Sequence, residues 1–369
     1  MNNNILVVDI YSEKGVHERV NNAFFEHILE NNKVDNAFLV SNAGPRLSTD
    51  KIKFLRIPNF FFPNSRVGKL LVRDLILPVI ILVCVIIITR RKLVIIGFSR
   101  LHILTFLPFI LFFRNVSVLF HSQLEVYDEK PRKKIRKVFL YLARQVLKKA
   151  LRSSNVKKLF LSKHIKNSIS GLGIVHTNCF YINHPIEKMD LVTFKSLEIA
   201  GSGSTETLLG NIGLFRDDTK KSSKIYDIAR ANQHLKFKLV GRCGAGFSFN
   251  NTLPNVQNIE FRKPVPYSYL IEKSKDISHF IYYFDEEKYK FTASGSLVDA
   301  MCLNKTIIYN DNRYIAGQLG DVLASKYDEA NNEIHIDSLV KKPMYNKILK
   351  QRLLTSGGKQ FDTVSNWLS

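Results

Sequence analysis

The sequence is short of cysteine and of acidic residues, and each shortage excludes a class of protein. Its four cysteines are widely scattered, without the paired spacing of a zinc site or the density of a disulfide framework. The start of the chain lacks the basic leader and long apolar core of a signal peptide. We therefore expect a cytoplasmic protein that works in a reducing compartment.

The deficit of acidic residues leaves 54 Lys and Arg against 32 Asp and Glu, a net charge of +22. Residues 131–186 contain thirteen Lys or Arg and no Asp or Glu. Such an excess indicates an anionic partner: nucleic acid, acidic lipid headgroups or phosphorylated substrates. With 369 residues, 45% of them hydrophobic, the chain is long enough for two globular domains.

Several nucleic-acid and nucleotide motifs are also missing. The basic region has no zinc spacing, no RNA-recognition signature and no glycine motif interleaved with aromatics. A non-catalytic nucleic-acid-binding protein is therefore an alternative that rests on charge alone. The chain has no Gly-Lys-Ser/Thr loop, which excludes a P-loop phosphotransferase.

Long apolar runs are scarce, and the longest uncharged one, Leu75 to Thr89, has fifteen residues. A helix that spans a bilayer needs about twenty, and this run also contains Pro78. The run favours a buried helix of an α/β domain, while a segment that dips into the membrane or a true span stays open.

Apolar strands and amphipathic helices alternate along the chain, as parallel α/β units do. "NILVVDIYS" and the helix "GVHERVNNAFFEHILEN" begin the first set, and "LLGNIGLF" begins a second after the small polar connector 197–207. We predict an N-terminal domain over 1–190, a C-terminal domain over 205–345 and a helical tail over 346–369 that packs back on the first domain. Domain interfaces favour pockets, so we expect the ligand in the cleft.

Five ordered segments of the C-terminal half resemble the donor domain of GT-B glycosyltransferases: "GLFRDDTKK", "FKLVGRCG", "NIEFRKPVPYSYL", "SGSLVDAM" and "KTIIYNDN". The resemblance covers most of residues 208–320 and is greatest to the large retaining family 4 of bacterial surface-polysaccharide biosynthesis. It implies an α/β GT-B fold, in which two Rossmann-like domains face each other across a cleft. It further implies sugar transfer from a nucleotide-diphosphate-sugar donor, with no cofactor and no metal.

The resemblance places a cationic clamp for the donor diphosphate at Arg216 and Lys221, which follow a strand end five positions apart. Metal-free enzymes of this type need fixed cations where charge grows on the leaving nucleoside diphosphate. Lys220 is an equally close candidate, and a solvated basic turn is the alternative. Gly241, in the glycine-rich "GRCGAGF", belongs to the same donor side.

Small residues precede the helix "LVDAM", where Ser294, Gly295 and Ser296 form an entrance without bulky side chains. The backbone N–H groups at a helix start favour a phosphate, and a glycine leaves the approach clear. Asp299, one turn into the helix, can accept hydrogen bonds from ribose hydroxyls. A helix cap with an acidic residue in its first turn is the alternative.

The sequence departs from the retaining pattern at one position. Relatives carry a second Glu eight residues before the site of Asp299, and this chain has Phe291 there. Glu286 and Glu287 are near but out of register. The resemblance favours a retaining enzyme, and this departure leaves the stereochemical outcome open.

The resemblance also places the acceptor side in the N-terminal half. Gly15, His17 and Glu18 follow the first strand, as the small-residue loop does in relatives. His121 follows a later strand and is expected to contact the transferred sugar. Glu125 can orient or deprotonate the acceptor hydroxyl if it comes within hydrogen-bond reach. A satisfied structural histidine is the alternative for His121.

The helix "PRKKIRKVFLYLARQVLKKALR" is predicted to bind a membrane. Its apolar side carries Ile135, Val138, Phe139, Leu142 and Val146. Cations without anions favour anionic lipid, at about 1 kcal/mol for each Lys or Arg near the surface. The predicted membrane-binding residues are Lys133, Arg136, Lys137, Arg144 and Lys148. The resemblance implies a polyprenyl-diphosphate-linked oligosaccharide acceptor, and a peripheral protein on the inner face of the bacterial cell membrane with no nucleic-acid partner.

Overall fold

The structure is a computed structural model of the chain. It describes residues 4–9, 18–31, 33–41, 50–58, 76–81, 92–111, 113, 115–131, 133–174, 177–190, 192, 207–218, 220–244, 246–250, 252–263, 265–303, 305–319, 324–327, 330–334, 352–354 and 358–369. Within these ranges the chain divides into two compact units. One comprises 1–187 together with 353–369, and the other comprises 188–352.

The first unit contains a sheet of seven strands: β1 Asn4–Asp9, β2 Asn36–Ser41, β3 Ile52–Arg56, β4 Lys92–Gly97, β5 Val116–Phe120, β6 Val156–Phe160 and β7 Cys179–Tyr181. Their order is β3-β2-β1-β4-β5-β6-β7, and all neighbours pair in parallel. Strand β5 is buried along its whole length and β1 nearly so. Continuous apolar burial is typical of a parallel sheet covered by helices on both faces.

The helices of this unit include α1 Glu18–Glu30, α2 His102–Thr105, α3 Leu107–Ile110, α4 Lys134–Arg152, α5 Lys163–Gly171 and, at the chain end, α10 Lys359–Leu368. Val20, Phe24 and Ile28 of α1 are buried, as their helical spacing predicts. The apolar segment 101–113, "LHILTFLPFILFF", predicts one helix, and its described residues instead contain the two short helices α2 and α3. Pro108 explains the break, because it has no backbone N–H to continue the helix.

The second unit contains a sheet of six parallel strands: β8 Leu208–Phe215, β9 Lys236–Cys243, β10 Val256–Glu260, β11 His279–Tyr282, β12 Thr306–Tyr309 and β13 Ala324–Lys326. Their order is β10-β9-β8-β11-β12-β13. The helices are α6 Lys224–Ala231, α7 Tyr267–Ser274, α8 Gly295–Cys302 and α9 Arg313–Leu319. The order runs outward from the first strand in both directions, which is the Rossmann arrangement.

The chain end packs into the first unit, where α10 contacts β6 and β7. Trp367 is fully buried, its indole N–H donates to the Lys157 carbonyl at 3.2 Å, and its ring lies 5.8 Å from that of Phe24. Its own carbonyl accepts a hydrogen bond of 2.6 Å from the Ser117 hydroxyl. These contacts attach the last helix to the sheet of the first unit.

Only residues 76–81 of the apolar run Leu75–Thr89 lie within the described part of the chain. Leu77 and Ile81 are buried there, whereas Ile76, Val79 and Ile80 are about half exposed. The rest of the run lies outside the described residues. Among the helices that the structure describes, none is both long enough and apolar enough to cross a bilayer.

Helix α4 does not pack through the side that its pattern indicated. Its buried side chains are Leu140, Ala143, Leu147, Ala150 and Leu151. Three of the five apolar residues that the sequence grouped together, Ile135, Val138 and Leu142, are exposed instead. The helix therefore has two apolar sides, and only one of them is buried against the described part of the first unit.

Candidate functional site

The candidate site lies at the carboxyl end of the second sheet, where β8 and β11 are neighbours. The chain leaves β8 and β11 toward opposite sides of the sheet order. Such a switch point forms a crevice beyond the strand ends, and ligands of open α/β sheets bind there. The turn 216–222 follows β8, and the entrance of α8 comes after β11.

Two glycines let these elements approach each other. Gly213 has φ +107°, and a Cβ built on it would lie 2.9 Å from Ser296 Cβ. A Cβ on Gly241, one strand away, would lie 1.8 Å from the Gly213 carbonyl oxygen. The predicted donor-side residue Gly241 is thus required by its packing against the Gly213 carbonyl, while Gly213 itself allows β8 to come close to the start of α8.

Lys220 links the turn after β8 to α8. Its ammonium donates a hydrogen bond of 2.9 Å to Ser296 Oγ and lies 5.7 Å from the centre of the Phe284 ring. Burial and, to a smaller extent, nearby Arg216 lower the pKa of Lys220, Asp299 acts in the opposite direction, and the net pKa is about 8. The cation is therefore desolvated, with a second cation and a carboxylate close by.

The turn 216–222 decides which lysine faces α8. The Ser222 hydroxyl accepts from the Arg216 N–H at 2.9 Å, and the Ser222 N–H donates to the Arg216 carbonyl at 3.2 Å. Lys221 has φ +46°, and its ammonium lies 3.9 Å from an Asp285 carboxylate oxygen. The structure thus brings Lys220 to Ser296, while the predicted Lys221 reaches Asp285.

Arg216, the other predicted cation, makes two hydrogen bonds to Asp218, from Nε at 2.9 Å and from a terminal nitrogen at 2.7 Å. Its side chain is 37% exposed. The pair is at the surface of the site, where a bidentate bond to a carboxylate can be exchanged for one to a phosphate.

The entrance of α8 is fixed by two tyrosines. The Ser294 N–H donates to the Tyr314 hydroxyl at 2.6 Å, and the Tyr282 hydroxyl donates to the Ser296 carbonyl at 2.7 Å. The Ser294 hydroxyl pairs with Ser296 Oγ at 3.1 Å and makes no capping hydrogen bond. The first N–H groups of α8 are therefore not capped by the Ser294 side chain.

Gly295 is exposed between two buried serines. A Cβ built there would meet no atom within 4 Å, and the residue does not adopt positive φ. Neither packing nor conformation thus explains a glycine at this position. Open space beside a helix start, a lysine and two hydroxyls can accept an anion.

Asp299 and Phe291 differ sharply in environment. Asp299 is half-buried on α8. It lies close enough to Lys220 to raise the pKa of that ammonium. It also raises the pKa of Tyr282, on which the burial of the tyrosine itself has a larger effect. Phe291 is buried, with 1% of its surface exposed. The position that carries the second Glu in relatives therefore belongs to the core in this chain.

Tyr282, Tyr314 and Gly213 were missed from the sequence. Gly213 stands at the end of an apolar strand and just before a basic turn, which is a usable signal for close backbone approach. The tyrosines carry no such signal, because Tyr314 acts from α9, twenty residues beyond Ser294. Burial raises the pKa of both tyrosines, so they remain neutral donors and acceptors.

The residues predicted for the acceptor side lie in the first unit. The His121 N–H donates to Gln123 Oε1 at 2.7 Å, and Gln123 Nε2 donates to the Phe98 carbonyl at 2.5 Å. Gln123 thus fixes His121 at the carboxyl end of β5. Glu125 is paired with Arg100, which also bonds Glu129 at 2.9 Å. Gly15, His17 and the side chain of Glu18 lie outside the described residues.

The five cations predicted to bind membrane differ in their surroundings. Arg136 makes two bonds to Glu129, at 2.6 and 2.8 Å. Arg144 donates to the carbonyls of Val126 at 2.7 Å and Glu129 at 2.9 Å. Of the other three, Lys133 and Lys137 are exposed, whereas Lys148 is only partly exposed.

In the part of the chain that the structure describes, no three His, Cys, Asp or Glu side chains cluster as metal ligands.

Comparison with known proteins gave structural matches only. No protein-family model and no curated protein matches this sequence. Similar solved structures include WaaG, a glycosyltransferase involved in lipopolysaccharide biosynthesis, with a TM-score of 0.57, 10% identity and 99% of both chains covered. The catalytic domain of Arabidopsis thaliana starch synthase IV bound to ADP and acarbose has a TM-score of 0.57 and 10% identity, with 98% of this chain and 97% of that one covered.

Anabaena HepE in complex with UDP and glucose is also similar, with a TM-score of 0.51, 12% identity, and 99% of this chain and 95% of that one covered. Identities this low establish the fold rather than the activity. The two Rossmann-like sheets and these neighbours confirm the α/β class and the GT-B fold that the sequence predicted.

Proposed function

We propose that this chain is a glycosyltransferase that moves a sugar from a nucleotide-diphosphate-sugar to a lipid-linked oligosaccharide. The acceptor is held on a polyprenyl diphosphate, and the product is a bacterial surface polysaccharide such as O-antigen, capsule or exopolysaccharide. The enzyme works on the cytoplasmic side of the cell membrane, as a peripheral protein. WaaG, one of the similar structures, is a glycosyltransferase of lipopolysaccharide biosynthesis.

The observation that carries this proposal is the contact between Lys220 and Ser296 beside the open space at Gly295. A desolvated ammonium next to a helix start is a strong place for a diphosphate. We assign Lys220 to the donor diphosphate together with Arg216, and Asp299 to the ribose hydroxyls. HepE, of the same fold, was solved with UDP and glucose.

The chemical step follows from where charge develops. As the bond from the sugar to the diphosphate breaks, negative charge grows on the leaving oxygen, and fixed cations lower the barrier. Lys220 and Arg216 supply two positive charges there, so we propose that the transfer is metal-independent. We also propose a retaining outcome, although Phe291 occupies the position of the second Glu of the retaining pattern. The anomeric configuration of the product, measured by NMR, tests this proposal.

Acceptor residues come from the first unit. His121 is fixed at the end of β5 by Gln123, and we assign it to the transferred sugar. Glu125 is assigned to the acceptor hydroxyl, with Arg100 as the group that holds its carboxylate in place.

A nucleotide-sugar panel tests the proposal through release of free nucleoside diphosphate. We expect one donor to be hydrolysed slowly without acceptor. Lys220→Gln and Asp299→Ala should lower that rate, by about 10² to 10³ for loss of the cation. Lys221→Gln is the matched control, because its ammonium lies next to Asp285 instead of Ser296. Equal losses in the Lys220→Gln and Lys221→Gln variants would contradict the assignment.

Thermal stabilisation separates this function from the nucleic-acid alternative. Nucleoside diphosphates should raise the melting temperature of the wild-type chain and leave that of Lys220→Gln unchanged. Single- and double-stranded nucleic acid at matched salt should have a smaller effect. A larger stabilisation by nucleic acid would replace the enzyme with a binding protein.

A further inference from the structure

Helix α4 has an outward apolar side that stays exposed in the part of the chain that the structure describes. Ile135 is 86% exposed, Val138 59%, Tyr141 62% and Leu142 46%. Their spacing of three and four residues places them next to each other along the helix surface. We call these four residues the outer stripe of α4.

The outer stripe is separate from the side that packs on the protein. The buried residues begin at Leu140 and continue at helical spacing to Leu151. A surface helix normally has one apolar side and one polar side. A second exposed apolar side on the same helix indicates that something outside the first unit covers it.

The charges around the stripe identify what covers it. Lys133, Lys134 and Lys137 are exposed in the same two turns, and no Asp or Glu occurs from 131 to 186. Lysine side chains can keep their ammonium groups in the headgroup layer while apolar neighbours enter the acyl region. Apolar residues edged by unopposed cations match an anionic lipid surface.

We propose that the outer stripe of α4 inserts into the anionic membrane, with Lys133, Lys134 and Lys137 at the headgroups. This deepens the proposed function, because it rests on a membrane-bound acceptor. It also revises the predicted contacts. Arg136 is bonded to Glu129, and Arg144 to backbone carbonyls, so both hold α4 in place. Binding then depends on apolar insertion as well as on charge.

The test is co-sedimentation with vesicles of phosphatidylcholine and phosphatidylglycerol. The triple variant Ile135→Ser, Val138→Ser, Leu142→Ser should lose roughly a thousandfold in partitioning, since each of the three apolar side chains returned to water is worth about tenfold. Leu172→Ser is the matched control, because Leu172 has the same 46% exposure as Leu142 and lies in the same unit. Wild-type binding should persist in part at high salt.

A second measurement reports insertion directly. Tyr141→Trp adds an indole on the stripe, while the single native tryptophan, Trp367, is fully buried and gives a constant background. Vesicles should shift the emission of the introduced indole to shorter wavelength, and lipids brominated in the acyl chain should quench it. An unshifted emission, or wild-type partitioning by the triple variant, would overturn the proposal.

Two further outcomes would show either that a different partner covers the stripe or that only the proposed transferase activity fails. A dimer that forms without lipid and is abolished by the triple variant would assign the stripe to a second copy of this chain. Donor hydrolysis is measured on the same samples. If the variant detaches from vesicles but still releases nucleoside diphosphate, the stripe proposal stands whether or not the acceptor is lipid-linked. Donor hydrolysis absent even in the wild type, with intact vesicle binding, would reject only the transferase.

Discussion

The Lys220 ammonium donates a 2.9 Å hydrogen bond to Ser296 Oγ, joining the turn after β8 to the first turn of α8. The two residues are 76 positions apart in sequence. Their contact places a desolvated cation beside the exposed Gly295 and the Ser294 hydroxyl.

Donor binding should weaken as pH rises above about 8. Lys220 has a pKa lowered to about 8, chiefly by burial. It is therefore charged at neutral pH and loses its proton as the pH rises through about 8. A bound diphosphate raises that pKa, so kcat/KM should fall at lower pH than kcat. Measuring both across the alkaline range checks this.

Lys220→Arg is the variant that isolates the titration. Guanidinium stays protonated throughout the range, so the alkaline fall should disappear even if overall affinity drops. An unchanged alkaline fall in this variant would assign the titration to another group.

Gly295 and Gly241 should respond in opposite ways to a side chain. Gly295→Leu adds atoms to open space, so we expect little loss of stability and a strong loss of nucleoside diphosphate binding. Gly241→Ala would place its Cβ 1.8 Å from the Gly213 carbonyl oxygen. It should destabilise the second unit by at least about 1 to 3 kcal/mol through overpacking.

Urea unfolding and nucleotide titration of both glycine variants provide the check. If Gly295→Leu bound nucleotide normally, the ligand would not use the space beside α8. If it unfolded as readily as Gly241→Ala, the glycine would serve packing instead.

The docking of the chain end should weaken in acid. His27 is fully buried, its Nδ1–H donates to the Leu354 carbonyl at 3.0 Å, and its Nε2 lies 3.3 Å from Ser365 Oγ. Burial lowers the pKa of His27, so the unfolded chain takes up the proton more readily than the folded one. The free energy of unfolding should therefore fall as pH drops below about 6.5.

Trp367 fluorescence during denaturation measures this, because the only tryptophan of the chain lies on α10. His27→Asn should reduce the acid loss at the cost of some stability at neutral pH. His234→Asn, at an exposed position in the second unit, should leave the acid loss unchanged. The same acid loss in the His27→Asn variant would exclude His27 as its cause.

Glu125→Gln should lower kcat for sugar transfer by about 10² to 10⁴ if its carboxylate serves as a general base. Glu129→Gln is the control, because Glu129 shares Arg100 with Glu125 and in addition bonds Arg136. A purely structural role for the Arg100 cluster predicts similar losses in both variants. Transfer to acceptor and donor hydrolysis should be followed separately.

The fold was predictable because its apolar runs are unambiguous. Strands such as β1 and β5 are continuous apolar segments, and helix α1 repeats Val20, Phe24 and Ile28 at helical spacing. Parallel strands joined by helices then leave few possible topologies. The exception is the segment 101–113, whose apolar content predicts one helix, whereas the structure has two short helices around Pro108.

The start of helix α8 was predictable in its position but not in its contacts. Small residues before an apolar helix identify the entrance at Ser294 to Ser296, because local chemistry determines a helix start. The choice between Lys220 and Lys221 depends on the positive φ of Lys221, which residue spacing does not encode. Similarly, the cationic pattern of α4 was visible, while the engagement of Arg136 by Glu129 required coordinates.

The short β-bridge between Ile186 and Leu353 has a consequence for how the chain can be divided. Residue 187 ends the first part of one unit and residue 353 begins its second, so the whole of 188–352 is inserted at a single point. Because Ile186 and Leu353 are already paired, a short linker could rejoin the two parts of the first unit after excision. The inserted module could then be exchanged for the corresponding unit of another protein of the same fold.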